Sequence, residues 1–125
     1  MKKLSKLPLL LITFILVYSC GRNVEADVEF LNDTVERYIV LDDKKESKEN
    51  LEEMLEILLE AEEIFSFYVD DANSDQTTLF IKLLNKSNTL KRVEGQELLK
   101  YEDLKDILID IKTQEVDVQK KLNKY

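Results

Sequence analysis

The chain has 125 residues, and its 18 basic and 26 acidic side chains give a formal charge of −8. It contains no histidine and a single cysteine, Cys20. These counts exclude a histidine proton shuttle, a histidine-ligated zinc site, an intramolecular disulfide and a cysteine–histidine catalytic pair.

The charge is divided unevenly along the chain. Residues 1–20 hold no acid, whereas residues 21–125 carry 15 basic and 26 acidic side chains, a balance of −11. Such a surplus of negative charge repels nucleic acid and anionic lipid head groups, so we expect no nucleic-acid partner. The length of the acidic part fits one small domain.

The first 20 residues have the layout of a secretory signal. Three lysines at positions 2, 3 and 6 precede an apolar run from Leu7 to Tyr18. The run has about 12 residues, fewer than the roughly 20 that a membrane-spanning helix needs, and no later segment is long and apolar enough to span. The sequence therefore predicts an exported protein without a transmembrane anchor.

The apolar run ends in Val17-Tyr18-Ser19-Cys20. These residues resemble the lipobox of bacterial membrane lipoproteins, in which an aliphatic residue at −3 and a small residue at −1 precede an invariant cysteine. Val17 and Ser19 fit those two positions, while Tyr18 is bulkier than the usual residue. The resemblance covers only the leader and its processing site.

The resemblance implies that a diacylglyceryl group is attached to the Cys20 sulfur and that signal peptidase II cuts between Ser19 and Cys20. Residues 1–19 would then be a cleaved lipoprotein signal peptide and residues 20–125 a lipid-anchored acidic domain. Two or three acyl chains hold a protein firmly on a membrane. The alternative is an ordinary secretory leader, but no nearby site has the small residues at −3 and −1 that its peptidase prefers.

The residue after the cysteine, Gly21, is not the aspartate that resembles an inner-membrane retention signal in enteric-type bacteria. We therefore expect an envelope location at the outer membrane or cell surface. The lipobox, the residue usage and the small helical body are similar in style to spirochaetal surface lipoproteins, a similarity that carries no functional residues.

Apolar residues after Cys20 recur at helical spacing, and the chain's one proline, Pro8, lies in the leader. The pattern predicts helices over about 24–41 and 48–69, the second with Ser47 as its N-cap. A third helix should begin at Ser74 or Asp75 and stop at Gly95, and a fourth should run from Tyr101 almost to Tyr125. The expected fold is all-α, a small antiparallel bundle of three to four amphipathic helices.

The fourth predicted helix carries a heptad-like seam with one charged interruption. Such a seam can pack within its own chain or form a coiled-coil dimer, and three heptads with a charge favour packing within the chain. The seam consists of Tyr101, Leu104, Leu108, Ile111, Glu115, Val118 and Leu122.

One local pattern resembles a metal site. Asp71, Asn73 and Asp75 occupy the first, third and fifth positions of a calcium-binding loop, but Gln76 replaces the turn glycine and Lys82 replaces the bidentate glutamate. We predict a helix-linking loop there. The sequence predicts no metal, no cofactor and no catalytic residues.

An aromatic cluster, Phe65-Ser66-Phe67-Tyr68, lies near the end of the second predicted helix. Phe65 and Tyr68 follow the apolar stripe, which predicts that they are core residues. Phe67 lies off the stripe and is the candidate exposed contact residue. Three isoleucines also lie off their stripes and are likewise candidate exposed residues: Ile57, Ile64 and Ile109.

These patterns predict a non-enzymatic lipid-anchored envelope or surface protein that binds an unidentified protein, host components included if it faces outward. The alternative is an envelope-internal accessory, structural, immunity or exclusion lipoprotein that binds another bacterial membrane protein. A lipid-anchored hydrolase would need an active site without histidine or a second cysteine. The sequence identifies neither the partner nor the oligomeric state.

Overall fold

The structure, a computed structural model, describes residues 22–87 and 97–125. Within these ranges the chain forms four α-helices and no β-strand, which confirms the predicted all-α bundle. The helices are α1 (Val24–Asp43), α2 (Lys48–Val69), α3 (Asp75–Ser87) and α4 (Tyr101–Leu122).

The observed helices follow the predicted ones closely. α2 has its predicted bounds, and α1 continues two residues past its predicted end at position 41. The predicted stop at Gly95 lies outside the described residues, as do the predicted signal peptide of residues 1–19, its lipobox residues and Cys20. None of the helices in the described ranges combines the length and the hydropathy needed to cross a membrane.

Side chains just before the helices satisfy the free backbone N–H groups of the first turns. The Asn23 side chain accepts from Ala26 N at 3.0 Å, and Ser47 Oγ accepts from Asn50 N at 3.2 Å, as predicted. Ser74 Oγ accepts from Gln76 N at 3.1 Å and begins α3. Each of these helices therefore begins where its own sequence provides a cap.

α1 and α4 both run antiparallel to α2. At one end of the bundle, near the start of α1, the Tyr101 hydroxyl of α4 donates to the carbonyl of Val69, the last residue of α2. At the opposite end Lys121 Nζ lies 3.9 Å from a Glu46 carboxylate oxygen. α2, about 33 Å long, therefore contacts both of the parallel helices.

The shorter α3 covers only the half of the bundle near the start of α1. That half contains the larger core cluster, to which all four helices contribute buried side chains: Val24, Val28, Leu31, Ala61, Ile64, Phe65, Tyr68, Phe80, Leu84 and Leu104. In the other half three helices share a smaller cluster: Leu41, Leu51, Met54, Ile57, Leu58 and Val118.

Stacked aromatic rings fill the centre of the larger cluster. The Phe80 ring lies parallel to Tyr68 with centroids 3.9 Å apart, and it meets the edge of Phe65 at 5.5 Å. All three side chains are fully buried. α3 contacts α2 through this aromatic packing and through the Thr77 hydroxyl, which donates to the Tyr68 carbonyl.

Two predictions about exposed residues are wrong. Ile57 and Ile64 are buried, because α2 contacts α1, α3 and α4 and therefore buries a wider face than one stripe. Ile109 is exposed, as predicted.

The heptad-like seam packs within the chain. Leu104 and Val118 are buried against α2, and Ile111 packs against both core clusters. The interpretation of this seam as a coiled-coil dimer face is therefore not supported by its position.

We expect Phe80→Ala to lower the free energy of unfolding by about 3–5 kcal/mol, because it removes a buried ring and leaves a cavity. The matched control is Leu79→Ala on the same helix, which truncates a side chain that is 40% exposed. Urea unfolding followed by circular dichroism measures both. Equal losses for the two variants would contradict the central position of Phe80.

Candidate functional site

Arg22, two residues after Cys20, is fixed in the bundle by a buried ion pair. Its guanidinium donates two hydrogen bonds to Asp27, from Nε to Oδ2 at 2.9 Å and from Nη2 to Oδ1 at 3.0 Å. Both side chains are 11% exposed. The Tyr68 hydroxyl donates to the same Asp27 Oδ2 at 2.6 Å. The Asp27 carboxylate therefore joins the residues before α1 to the end of α2.

Further hydrogen bonds include α3 in this junction. The Arg22 carbonyl accepts from Gln76 Nε2 at 3.0 Å, and Thr77 Oγ1 donates to the Tyr68 carbonyl at 3.0 Å. The start of α1, the end of α2 and the start of α3 are thereby held together. We call this set, Arg22, Asp27, Tyr68, Gln76 and Thr77, the Asp27 junction.

The junction raises the pKa values of both Arg22 and Tyr68. The hydrogen bond to Asp27 raises the pKa of Arg22, against the opposing effect of burial. Burial and the hydrogen bond to Asp27 raise the pKa of the Tyr68 hydroxyl far above its ordinary value. Because Tyr68 is fully buried and Asp27 is bonded on both oxygens, the arrangement suits a rigid connection better than proton transfer to a ligand.

Phe67, the predicted exposed contact residue, is only partly exposed. One face of its ring lies beneath the Arg22 guanidinium, whose carbon is 5.6 Å from the ring centroid. The ring also meets Tyr68 edge to face at 5.0 Å. Phe67 therefore packs against the junction, and its role in binding stays a prediction.

A second feature is an open groove of about 370 Å³ between α2 and α4. Leu55 and Leu59 line it from α2, and Val116 lines it from α4. Leu59 and Val116 are 51% and 54% exposed, high values for aliphatic side chains on an acidic domain. Apolar residues that line a groove are typical of contact surfaces.

Two glutamates face each other beside this groove. Glu115 Oε2 is buried with no hydrogen-bond donor within reach among the residues that the structure describes, and its neighbour is the Glu62 carboxyl. Burial, and then the contact with Glu62, raise the pKa of Glu115 from 4.5 to about 7, although Lys112 acts in the opposite direction. A proton on Glu115, held next to the Glu62 carboxyl, relieves the repulsion between the two groups.

The loop that resembles a calcium site links α2 to α3. Asn73 N donates to the Asp71 carboxylate at 3.1 Å, an Asx turn that uses one of the expected ligands within the loop. Among the residues of the described ranges, no group of three or more acidic, cysteine or histidine side chains is arranged to hold a metal ion. The predicted helix-linking loop is confirmed.

The structure does not place the predicted processing site, because Val17, Tyr18, Ser19 and Cys20 lie outside the described residues. Sequence reasoning missed both Arg22 and Glu62. For Arg22 the signal was a lone base immediately before an acidic helix. For the glutamate pair the signal was Glu115, the charged residue in the seam. Nothing in the sequence identified Glu62 as its neighbour.

Comparison of the chain with protein-family models, with curated proteins and with solved structures found no match in any of the three.

We expect Arg22→Met to lower the free energy of unfolding by about 3 kcal/mol, because it leaves the Asp27 carboxylate buried without its counter-charge. The matched control is Arg37→Met. Arg37 pairs with Glu53 through side chains that are 56% and 43% exposed, so this loss should be at most about 1 kcal/mol. Urea unfolding of both variants tests the difference, and similar losses would show that the Arg22 pair is not buried in solution.

The glutamate pair predicts a pH dependence. Because the folded chain keeps the proton of Glu115 to a higher pH than the unfolded chain, the free energy of unfolding should fall as the pH rises from about 4.5 to about 7. Glu115→Gln cannot lose a proton, and its amide can donate to Glu62. Near pH 8 we expect the free energy of unfolding of this variant to exceed that of the wild type by about 1 kcal/mol, a value reduced because Glu115 is partly exposed. Near pH 5 the two free energies should be equal.

Urea unfolding at the two pH values measures this effect. The control is Asp110→Asn, which neutralises an exposed acid on the same helix. A gain for Glu115→Gln that is the same at both pH values, or a gain equal to that of Asp110→Asn, would contradict the proton on Glu115.

Proposed function

We propose that this chain is a non-enzymatic bacterial lipoprotein, anchored in the cell envelope through acyl chains on Cys20, whose acidic bundle binds a protein partner. We further propose that it faces outward. The observation that carries the proposal is the lipobox-like sequence of residues 17–20, which ends two residues before Arg22, the first residue of the Asp27 junction.

The short distance between the two features supports the proposal. Only Gly21 separates Cys20 from Arg22, so the Cα atoms of Cys20 and Arg22 are at most about 7.6 Å apart. The side chain and the carbonyl of Arg22 are both bonded to the bundle. Acyl chains on Cys20 would therefore hold the folded domain directly at the bilayer surface, with no flexible stalk between them.

Charge along the sides of the bundle favours an upright domain. Acidic residues such as Glu49, Glu52 and Glu63 are exposed along the length of α2. Acidic residues are repelled by a negatively charged membrane surface, so the domain should stand on its anchor instead of lying flat. Its long sides then face neighbouring proteins.

The surface of those sides supports protein binding. The groove between α2 and α4 exposes Leu59 and Val116 within a charged exterior. A contact surface of this kind needs no catalytic group, which agrees with a chain that has no histidine and only one cysteine.

We expect cells that express the full chain to incorporate labelled palmitate into it, and Cys20→Ala to abolish this incorporation and leave the leader uncut. Gly21→Ala is the matched control, because it changes the adjacent residue and keeps the acceptor sulfur. Gel fluorography measures the label, and mass spectrometry measures the processed length. Continued labelling of Cys20→Ala would contradict the assignment.

Protease treatment of the same intact cells tests the orientation. Digestion without lysis is expected for an outward-facing domain. Protection until the cells are lysed would exclude the outward orientation and leave the envelope-internal alternative.

A further inference from the structure

The pair of helices α2 and α4 is covered on one side only. On the covered side, Leu41 of α1 belongs to the same core cluster as Leu51 and Met54 of α2 and Val118 of α4. The groove lined by Leu59 and Val116 lies on the other side of the same pair. No other helix among the described residues covers this groove.

Along the outer edge of the groove, α2 presents an acid, an apolar residue and a second acid. Glu52, Leu59 and Glu63 are spaced seven and four residues apart, which places them on one face of the helix. All three are exposed. The rest of α2 is acidic as well, with Lys48 as its one basic residue.

α4 presents the complementary arrangement. Lys112, Val116 and Lys120 are spaced four residues apart on one face, so an apolar residue lies between two bases. All three are exposed. The surface formed by these two strips, one acidic on α2 and one basic on α4, is here called the α2–α4 face.

We propose that the α2–α4 face binds the same face of a second copy of this chain, with the two-fold axis parallel to the helices. This axis places α2 of each copy opposite α4 of the other, so each acidic strip meets a basic strip. A two-fold axis across the helices would instead place α2 against α2 and would oppose acids with acids.

The positions along the helices agree with this pairing. Rotation about an axis parallel to the helices does not change the height of a residue in the bundle. Leu59 and Val116 line the same groove within one chain, so Leu59 of one copy lies level with Val116 of the other. Since the helices are antiparallel, Glu63 is then level with Lys112, and Glu52 lies about 4.5 Å past the level of Lys120, a distance that the two long side chains can bridge.

The same axis places both N-terminal ends at one end of the dimer. This point depends on the proposed function, because two chains that are anchored through Cys20 in one bilayer must have their anchors on the same side. A partner with the opposite orientation could not share the membrane. The parallel two-fold arrangement is therefore the one that satisfies both the charge pattern and the anchors.

The membrane also compensates for the small size of the face. From Glu115 to Asn123 the groove is about 12 Å long and about two helices wide. This footprint is smaller than the roughly 800 Å² per partner of a stable dimer, so association in dilute solution should be weak. Anchoring in one bilayer raises the effective concentration of the second copy.

The test uses two full-length copies with different epitope tags, expressed together in bacteria that process lipoproteins. One copy carries a photo-crosslinking amino acid at Val116. Irradiation should give a covalent product that contains both tags. A copy with the photo-crosslinker at Ile39, which is 44% exposed on α1, is the control and should give none.

Charge reversal tests the pairing itself. Lys112→Glu with Lys120→Glu in both copies should lower the yield at least about tenfold, because four contacts change from attraction to repulsion. Glu52→Lys with Glu63→Lys in both copies should do the same. One copy of each kind, expressed together, should restore the product, because every acidic strip again meets a basic strip, and this recovery also shows that both variants fold.

The outcomes separate this inference from the proposed function. Palmitate labelling of the same cells reports the anchor independently of cross-linking. A two-tag product at Val116 that follows the charge pattern supports the dimer whether or not the label is found. No product, a product with another protein only, or a product that charge reversal does not change overturns the dimer, whatever the state of Cys20.

Discussion

The buried contact between Arg22, Asp27 and Tyr68 is the interaction on which the larger half of the bundle depends. A carboxylate is stable inside a small core only when its charge is neutralised and its oxygens are bonded, and both conditions are met by residues from outside its own helix. The junction therefore connects residues 22–27 to the end of α2 and the start of α3, at least 41 residues further along the chain. The stacked rings of Tyr68 and Phe80 extend this connection to α3.

The two halves of the bundle consequently differ in how firmly they are held. The half near Arg22 has four helices, stacked rings and a satisfied ion pair. The other half has three helices, and the glutamate pair lies where α4 crosses from one core cluster to the next. At neutral pH this pair opposes packing slightly, so the boundary between the two halves is the part that responds to pH.

Local features of the chain were predictable from sequence because they are encoded locally. α2 has its predicted bounds because the Ser47 cap and the apolar spacing act within a few residues. Burial of Ile57 and Ile64 was missed because it depends on how many helices surround α2. The pairing of Glu115 with Glu62 could not be predicted either, since it needs the register between α2 and α4.

The absence of a spacer after Cys20 limits where the domain can reach. If acyl chains hold that residue, the bundle extends only about 33 Å from the bilayer, the length of its longest helices. Taller molecules on the same surface would then screen it from large particles, while small proteins and neighbours in the membrane could still approach its sides. The rigid attachment of Arg22 would thus restrict binding to partners that can come close to the membrane, in addition to stabilising the fold.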